Sequence, residues 1–295
     1  MGWDDLPGQV RAAVESEIGP VGSSRPVPAG AGCDLAAVVE TATGRVFVKA
    51  VYGDEESRRV RSLRREALNS RLAPGLAPVV LCTVDACGWL AVGFEHAPGR
   101  APVIAPGSAD LPLVAATLDR IAALPAPDLI PLAERWAAPG WWPQVAEAVG
   151  DGWDVDTARR FAEPAPGLVV GDRLIHKDLH DGQILIDGDR VRVVDWASPA
   201  AGPGWVDAAL LVIRMTGDGF SAAEAEAWAS GLDCWTVSPE ALTAFACRVA
   251  GLWTFRAVGD AGGGNGWRAA LARRYASSRI EALSQKRTGP LSRPG

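Results

Sequence analysis

The stretch Ile175-His176-Lys177-Asp178-Leu179-His180-Asp181-Gly182-Gln183-Ile184-Leu185, followed by Val193-Val194-Asp195-Trp196, holds the densest set of chemically capable side chains in the chain. An Asp, an amide side chain five residues later and a second Asp beyond a hairpin can divide the work of moving a phosphoryl group onto a hydroxyl. The first carboxylate receives or orients the hydroxyl, while the amide and the second carboxylate offer hard oxygen donors to Mg²⁺. The hairpin, Ile184-Leu185-Ile186 and residues 191–194 about Asp187-Gly188-Asp189, brings both metal ligands to one place from opposite ends of a rigid ribbon, and its Asp-Gly pair has tight-turn chemistry. A polar surface loop, with Asp and His residues merely capping turns, is the plainer reading, and it leaves the spacing unexplained.

Phosphoryl transfer also needs groups that hold the donor nucleotide. Lys49 sits among apolar neighbours in Val46-Phe47-Val48-Lys49-Ala50, an arrangement that resembles the strand lysine with which kinases hold the α- and β-phosphates, aligned by a helix Glu. Glu66 is the expected aligner; Glu55 and Glu56 come too early, near the first turn of the same helix. Gly30 and Gly32, in Ala29-Gly30-Ala31-Gly32-Cys33-Asp34, suit a loop whose backbone N–H groups approach phosphates. Phe94-Glu95-His96-Ala97-Pro98-Gly99 resembles a hinge that pairs with a purine through the Glu95 carbonyl and the Ala97 N–H, with His96 as a solvent-facing bystander. The sequence has no Gly-x-x-x-x-Gly-Lys-Ser/Thr, which excludes a P-loop mechanism.

Together these segments resemble the aminoglycoside phosphotransferase family, whose catalytic loop reads roughly His-Gly-Asp-Leu-His-x-Gly-Asn and whose metal loop reads Ile-Asp-Trp. The resemblance spans roughly residues 25–257 and is most specific over 176–207. It implies Asp178 as catalytic base, Asp195 as chief Mg²⁺ ligand, ATP or GTP as co-substrate, and His176 as support of the catalytic loop. Gln183 stands where the family usually has Asn, and Lys177 where it commonly has Gly. Gly202-Pro203-Gly204-Trp205-Val206-Asp207 resembles a further family segment whose carboxylate braces the catalytic loop backbone, which makes Asp207 the bracing residue; an ordinary helix N-terminal Asp is the alternative.

The elements that must position these residues change character along the chain. Residues 35–39 and 45–51 read as strands joined by Thr41-Ala42-Thr43-Gly44, and residues 79–84 and 89–94 as strands joined by Asp85-Ala86-Cys87-Gly88. Between them, Asp54 opens a helix with Val60, Leu63, Ala67 and Leu72 on one face and arginines on the others. Beyond a hinge near 95–100 the pattern turns helical, over 110–124, 154–163, 205–215, 221–231, 239–257 and 267–284, with a tail from Ser284 expected to fray. The expected fold is α+β and bilobal, of the protein-kinase-like type: a nucleotide-binding lobe over 1–97, with a small antiparallel sheet and one helix, and a helical lobe over 98–295.

Bulk properties exclude other classes. The 295 residues are 48% hydrophobic and 22% charged, with a net charge of −6 and no long basic run, which argues against a nucleic-acid surface. The acidic N-terminus lacks a signal-peptide core and no apolar run reaches membrane-spanning length, so a cytoplasmic protein, monomer or homodimer, is expected. The five cysteines read as buried reduced thiols. Among the 12 tryptophans, most are expected to fill core, with some rings of Trp136, Trp141 and Trp142 facing a cleft.

The leading functional reading is an antibiotic kinase, acting on an aminoglycoside, nucleoside or peptide and conferring resistance. A metabolic kinase for a sugar, choline-like or amino-alcohol substrate is the second. A non-catalytic nucleotide-binding protein is the third, and the presence of Lys49, Asp178 and Asp195 together argues against it. A polycationic acceptor would call for carboxylates beside Asp178, with Asp181, Asp218, Glu224, Glu226 and Asp233 available; a neutral one would use the tryptophans at 136–142.

Overall fold

The computed structural model describes residues 1–28, 32–126, 128–137, 140–259 and 264–288. In chain order its first elements are α1 (Gly8–Ile18), β1 (Val21–Pro26), β2 (Leu35–Thr41), β3 (Gly44–Tyr52), α2 (Arg58–Asn69), β4 (Val80–Ala86) and β5 (Trp89–Glu95). Then come α3 (Leu111–Ala123), α4 (Leu132–Trp136), α5 (Trp142–Val149), α6 (Val155–Ala162), α7 (Ala165–Leu168), β6 (Arg173–Ile175), β7 (Ile184–Asp187), β8 (Arg190–Val193) and β9 (Ala200–Gly202). The chain ends in α8 (Trp205–Met215), α9 (Ala222–Ala229), α10 (Pro239–Val258) and α11 (Gly264–Thr288). It divides into two compact units: Met1–Pro102 with Asp181–Pro199, and Val103–His180 with Ala200–Gly295.

In the first unit an antiparallel sheet runs in the order β1-β2-β3-β5-β4. Side chains alternate across it, so each face has its own core. One face places Leu35, Ala37, Val39, Val46, Val48 and Ala50 against Val10, Val14 and Ile18 of α1. The other joins Val51, Leu90, Val92 and Phe94 to Val60 and Leu63 of α2. Both α1 and β1 escape the sequence patterning above, although Val10, Val14 and Ile18 recur at helical spacing. The β4–β5 turn places Cys87 at φ 52 and Gly88 at φ 76, the paired positive φ of a type I′ hairpin turn. Asp54 does not open α2 directly: Ser57 is the N-cap, and the Asp54 carboxylate accepts the Ser57 N–H at 2.9 Å.

The β7–β8 hairpin joins this unit through backbone bonds. The Arg100 N–H donates to the Ile186 carbonyl and the Ile186 N–H to that of Arg100, at 3.0 and 2.8 Å, and the Val193 N–H donates to the Leu76 carbonyl at 3.0 Å. Gly99, at φ 121, lies where a Cβ would come within 2.5 Å of the Ile186 carbonyl oxygen, so only glycine lets the chain run this close to the hairpin.

The second unit is mainly helical. All of α8 is buried, and α10 packs against α11, α6 and α5. Two arginines inside these apolar helices stack on indole rings. Arg214 of α8 lies 5.1 Å from the Trp253 ring, and Arg248 of α10 lies 5.6 and 5.3 Å from those of Trp136 and Trp141. Burial pushes the Arg248 guanidinium down to about 10, and its Nη2 donates to the Trp136 carbonyl. Trp136 and Trp142 are core residues, while Trp141 is half-buried and stacked on Phe255. The segment expected to fray from Ser284 is helical through Thr288, and residues 289–295 lie outside the described residues.

All five cysteines are free, but they are not uniformly buried: Cys82 and Cys247 are, Cys33 and Cys234 are half-buried, and Cys87 is exposed in its turn. Among the described residues, no helix is long and apolar enough to cross a membrane.

Candidate functional site

Strand alternation and helix periodicity together build the first unit's group of candidate residues. On β3, Val46, Val48 and Ala50 face α1, which turns Phe47, Lys49 and Val51 toward α2. On α2 the buried positions are Val60, Leu63 and Glu66, so a carboxylate meets the ammonium where a third apolar contact would otherwise sit. Lys49 Nζ donates to Glu66 Oε1 at 2.7 Å and to Oε2 at 2.9 Å. Burial alone would push Lys49 down, but Glu66, with Asp195 adding to it, outweighs burial and holds the ammonium above its usual range. Burial pushes Glu66 up, with Lys49 opposing.

The segment after β8 completes this arrangement. Asp195 occupies the left-handed region at φ 69, and its N–H donates to the Glu66 carboxylate. The next residue is tied to the same helix, since Asn69 Nδ2 donates to the Trp196 carbonyl at 3.0 Å. The Trp196 ring is buried and its Nε1 donates to the Val193 carbonyl at 2.8 Å. These bonds hold an uncommon backbone conformation at Asp195.

Lys49, Glu66 and Asp195 line one cavity of about 340 Å³, walled on its apolar side by Phe47 and Phe94. Glu95, His96 and Ala97 form another wall, so His96 is a cavity residue and not a bystander in solvent. Burial, then Arg45 and Arg25, hold the His96 imidazole below its usual range. Gly32 lies in the turn before β2, where a Cβ would meet no atom within 4 Å, and it does not line the cavity. Gly30 lies outside the described residues.

Gln183 Nε2 donates to Asp195 Oδ2 at 3.4 Å, while Gln183 Oε1 is buried and has no hydrogen-bond partner among the described residues. A buried carbonyl oxygen left in that state is costly. A half-turn of this amide about its last bond would bring the oxygen to the Asp195 carboxylate, and the two together would be hard oxygen donors of the kind Mg²⁺ takes. Among the described residues there is no cluster of three or more His, Cys, Asp or Glu that could hold a metal. Mg²⁺ fits such a sparse set, because it is commonly bound by one or two protein groups plus phosphate and water oxygens.

In the second unit, one helix holds the 176–178 loop at two points. The Asp207 carboxylate accepts the His176 N–H at 2.7 Å and the Lys177 N–H at 2.8 Å. Asp207 is fully buried; burial pushes its carboxyl up, opposed by His176 and by these two N–H groups. Two helical turns further on, Arg214 Nη2 donates to Asp178 Oδ1 at 2.7 Å. The loop itself turns at Lys177, whose φ of 74 is the conformation a glycine would adopt at no cost. Arg268 of α11 brings Nη1 to 3.7 Å from the same Asp178 oxygen.

Neither arginine was expected from motif spacing, although a lone charge inside the apolar run of α8 signals a buried partner. Two of the five carboxylates named for a polycation, Glu224 and Glu226, have other work. Glu226 accepts from Tyr275 Oη at 2.8 Å and pairs with Arg279 at 2.6 Å, and Glu224 closes a capping box with Ser221.

A family model described as the phosphotransferase enzyme family matches residues 25–242. No curated protein is a detectable sequence relative. Among solved structures, a thermostable mutant of the aminoglycoside phosphotransferase APH(4)-Ia, in ternary complex with AMP-PNP and hygromycin B, superposes with a TM-score of 0.68 at 16% identity, covering 94% of this chain and 99% of that one. Choline kinase LicA from Streptococcus pneumoniae gives 0.63 at 15% identity, covering 92% and 98%. AMP-bound spectinomycin phosphotransferase APH(9)-Ia gives 0.57 at 12% identity, covering 88% and 93%. These likenesses show the bilobal kinase-like fold, and with most of the sequence matched by the family model, the chain belongs to the phosphotransferase enzyme family.

Proposed function

We propose that the protein moves the γ-phosphoryl group of ATP or GTP to a hydroxyl of a small molecule, an antibiotic or related natural product, and so confers resistance. The observation that carries the kinase reading is the first unit's cavity, where a charged lysine locked to Glu66 lies beside Asp195. Lys49 holds the nucleotide phosphates as a point charge, and Glu66 keeps it in place. Glu95, His96 and Ala97 receive the base. Gln183 and Asp195 hold Mg²⁺, which when bound neutralises charge on the phosphates. Asp178 takes the proton of the acceptor hydroxyl as the acceptor oxygen bonds to the γ-phosphorus and the bond from that phosphorus to the bridging oxygen breaks, releasing the nucleoside diphosphate. Asp207 keeps the loop carrying Asp178 in shape.

A metabolic kinase is the second reading, favoured by the arginines at Asp178, which do not suit a polycationic antibiotic. The test is nucleotide consumption, ATP against GTP, over a panel of antibiotics, sugars and amino alcohols, with Mg²⁺ titrated in wild type, Asp195→Ala and Gln183→Asn. Mg²⁺-dependent activity is expected to vanish in Asp195→Ala and to survive in Gln183→Asn, since both amides present an oxygen. An unchanged Mg²⁺ dependence in Asp195→Ala overturns the metal assignment.

A further inference from the structure

We infer that the acceptor carries an anionic group, a carboxylate, sulfate or phosphate, seated on Arg214 and Arg268 beside Asp178. This rests on the kinase reading for the role of Asp178, and on the second unit's own geometry for the anion. Two guanidinium groups converge on one carboxylate oxygen: Arg214 Nη2 at 2.7 Å and Arg268 Nη1 at 3.7 Å from Asp178 Oδ1. Both stack on the same indole, with their central carbons 5.1 and 5.9 Å from the Trp253 ring centroid. Stacking on an aromatic face fixes the plane of a guanidinium and leaves its N–H edge to make paired bonds. Arg268 is aimed further by Asn265, whose Oδ1 accepts from its Nη2 at 2.7 Å.

Accessibility separates the two arginines. The Arg214 side chain is 11% exposed and serves as the fixed support; that of Arg268 is 31% exposed and that of Asp178 is 52% exposed. A solute at Asp178 therefore meets Arg268 before Arg214. The two guanidiniums repel a polycation there.

An anionic group on the acceptor has two effects. It gives Arg268 a second carboxylate-like partner, for which a planar fork of donors is suited. In drawing Arg268 away it also frees Asp178 Oδ1 from one of two cations, leaving that oxygen to receive the hydroxyl proton. Binding and readiness for transfer are then linked through one side chain, and Arg268 acts as a specificity residue.

The test has two arms. In the first, inorganic sulfate is titrated at constant ionic strength into the full chain, wild type, Arg268→Gln and Arg268→Lys, with intrinsic tryptophan fluorescence as the signal and thermal unfolding to verify folding. The expected result is saturable binding that Arg268→Gln weakens about tenfold to a hundredfold, the range of a lost charge-assisted contact, and that Arg268→Lys weakens less. Binding that Arg268→Gln leaves unchanged, or no saturable binding to wild type, overturns the anion site.

In the second arm, nucleotide consumption is compared for glucose, glucosamine and glucuronate, and for uridine and uridine monophosphate, sets that share a scaffold and differ in charge. The anionic members are expected to have the lowest KM, and Arg268→Gln to raise that KM with little change in kcat. A lower KM for the cationic member overturns the inference. Sulfate binding through Arg268 without nucleotide consumption on any acceptor upholds the anion site and overturns the kinase reading instead.

Discussion

Lys49 and Asp178 are the charged centres of the two units, and their surroundings are opposite in sign. In the first unit a cation is held by a carboxylate with both oxygens in contact, inside a cavity where Asp195 adds more negative charge. In the second a carboxylate is held by two guanidiniums and remains half exposed. The first is a closed pair, with its geometry set by a strand and a helix that share one core. The second is an open arrangement assembled from a loop and two helices. A closed pair commits its charge to a fixed geometry, whereas an open one leaves a charge available to solvent or a ligand.

The largest expected effect tests whether the open carboxylate is the chemical one. Asp178→Asn should lower turnover about 10²–10⁴-fold, the usual contribution of a positioned acid–base group, while AMP-PNP affinity stays at the wild-type value. The amide oxygen can still accept from Arg214, so the fold should persist. Wild-type turnover in this variant, with folding verified by circular dichroism, would remove Asp178 from the mechanism.

The closed pair is tested by breaking it in two ways. Lys49→Met alone leaves Glu66 buried without its partner, and losing one member of a buried pair typically costs about 3–5 kcal/mol. Burial already pushes Glu66 up, so it takes up a proton and the cost should fall at the low end. Lys49→Met with Glu66→Leu replaces the pair by apolar volume and should recover most of that stability, since such replacements are often neutral. Turnover should be lost in both. Denaturant unfolding beside activity separates the two roles: recovered activity in the double variant would show that Lys49 holds structure and not phosphate.

The contrast between the units also explains what could be read from the sequence. Lys49, Glu66, Gln183 and Asp195 stand on elements that announce themselves, a strand with period two, a helix with an apolar stripe, and a hairpin with Asp-Gly at its turn. The hairpin sets the spacing of Gln183 and Asp195, while strand and helix faces set that of Lys49 and Glu66. Arg214 and Arg268 come from helices far downstream of Asp178, brought in by packing of α8, α10 and α11, and no local pattern encodes that packing. His96 is half-buried on the cavity wall, and the exposure of such a hinge residue depends on what covers it, which no local pattern encodes. Lys177 was unexplained in the sequence for lack of a backbone angle, which the structure supplies.

Lys177 gives a smaller effect on the second unit alone. A non-glycine residue in the left-handed region costs about 1–3 kcal/mol, and a β-branched one fits it worst. Lys177→Gly should therefore relieve strain but loosen the unfolded chain, with a net change within about 1 kcal/mol. Lys177→Val should destabilise by about 1–3 kcal/mol and disturb the two N–H bonds to Asp207. Equal stability of the Gly and Val variants would mean that the loop does not need this angle.

The smallest effect belongs to the first unit's cavity wall and sharpens the comparison from the other side. His96 is held below its usual range by burial, with Arg45 and Arg25 adding to it. The folded protein therefore takes up a proton at this ring less readily than the unfolded chain does, whose histidine titrates near 6.5. His96 contributes its full stability above that pH, where both states are neutral. As pH falls below 6.5 the unfolded chain gains a proton first, and the contribution is lost until the folded ring titrates too. His96→Gln should flatten this part of the decline without changing stability above pH 7.5. The chain has two other histidines, His176 and His180, so the quantity to measure is the difference in unfolding free energy between wild type and variant from pH 5 to 8. A difference that stays constant over this range, or that grows in favour of the wild type as pH falls, would mean that the ring is not kept neutral by the wall of the cavity.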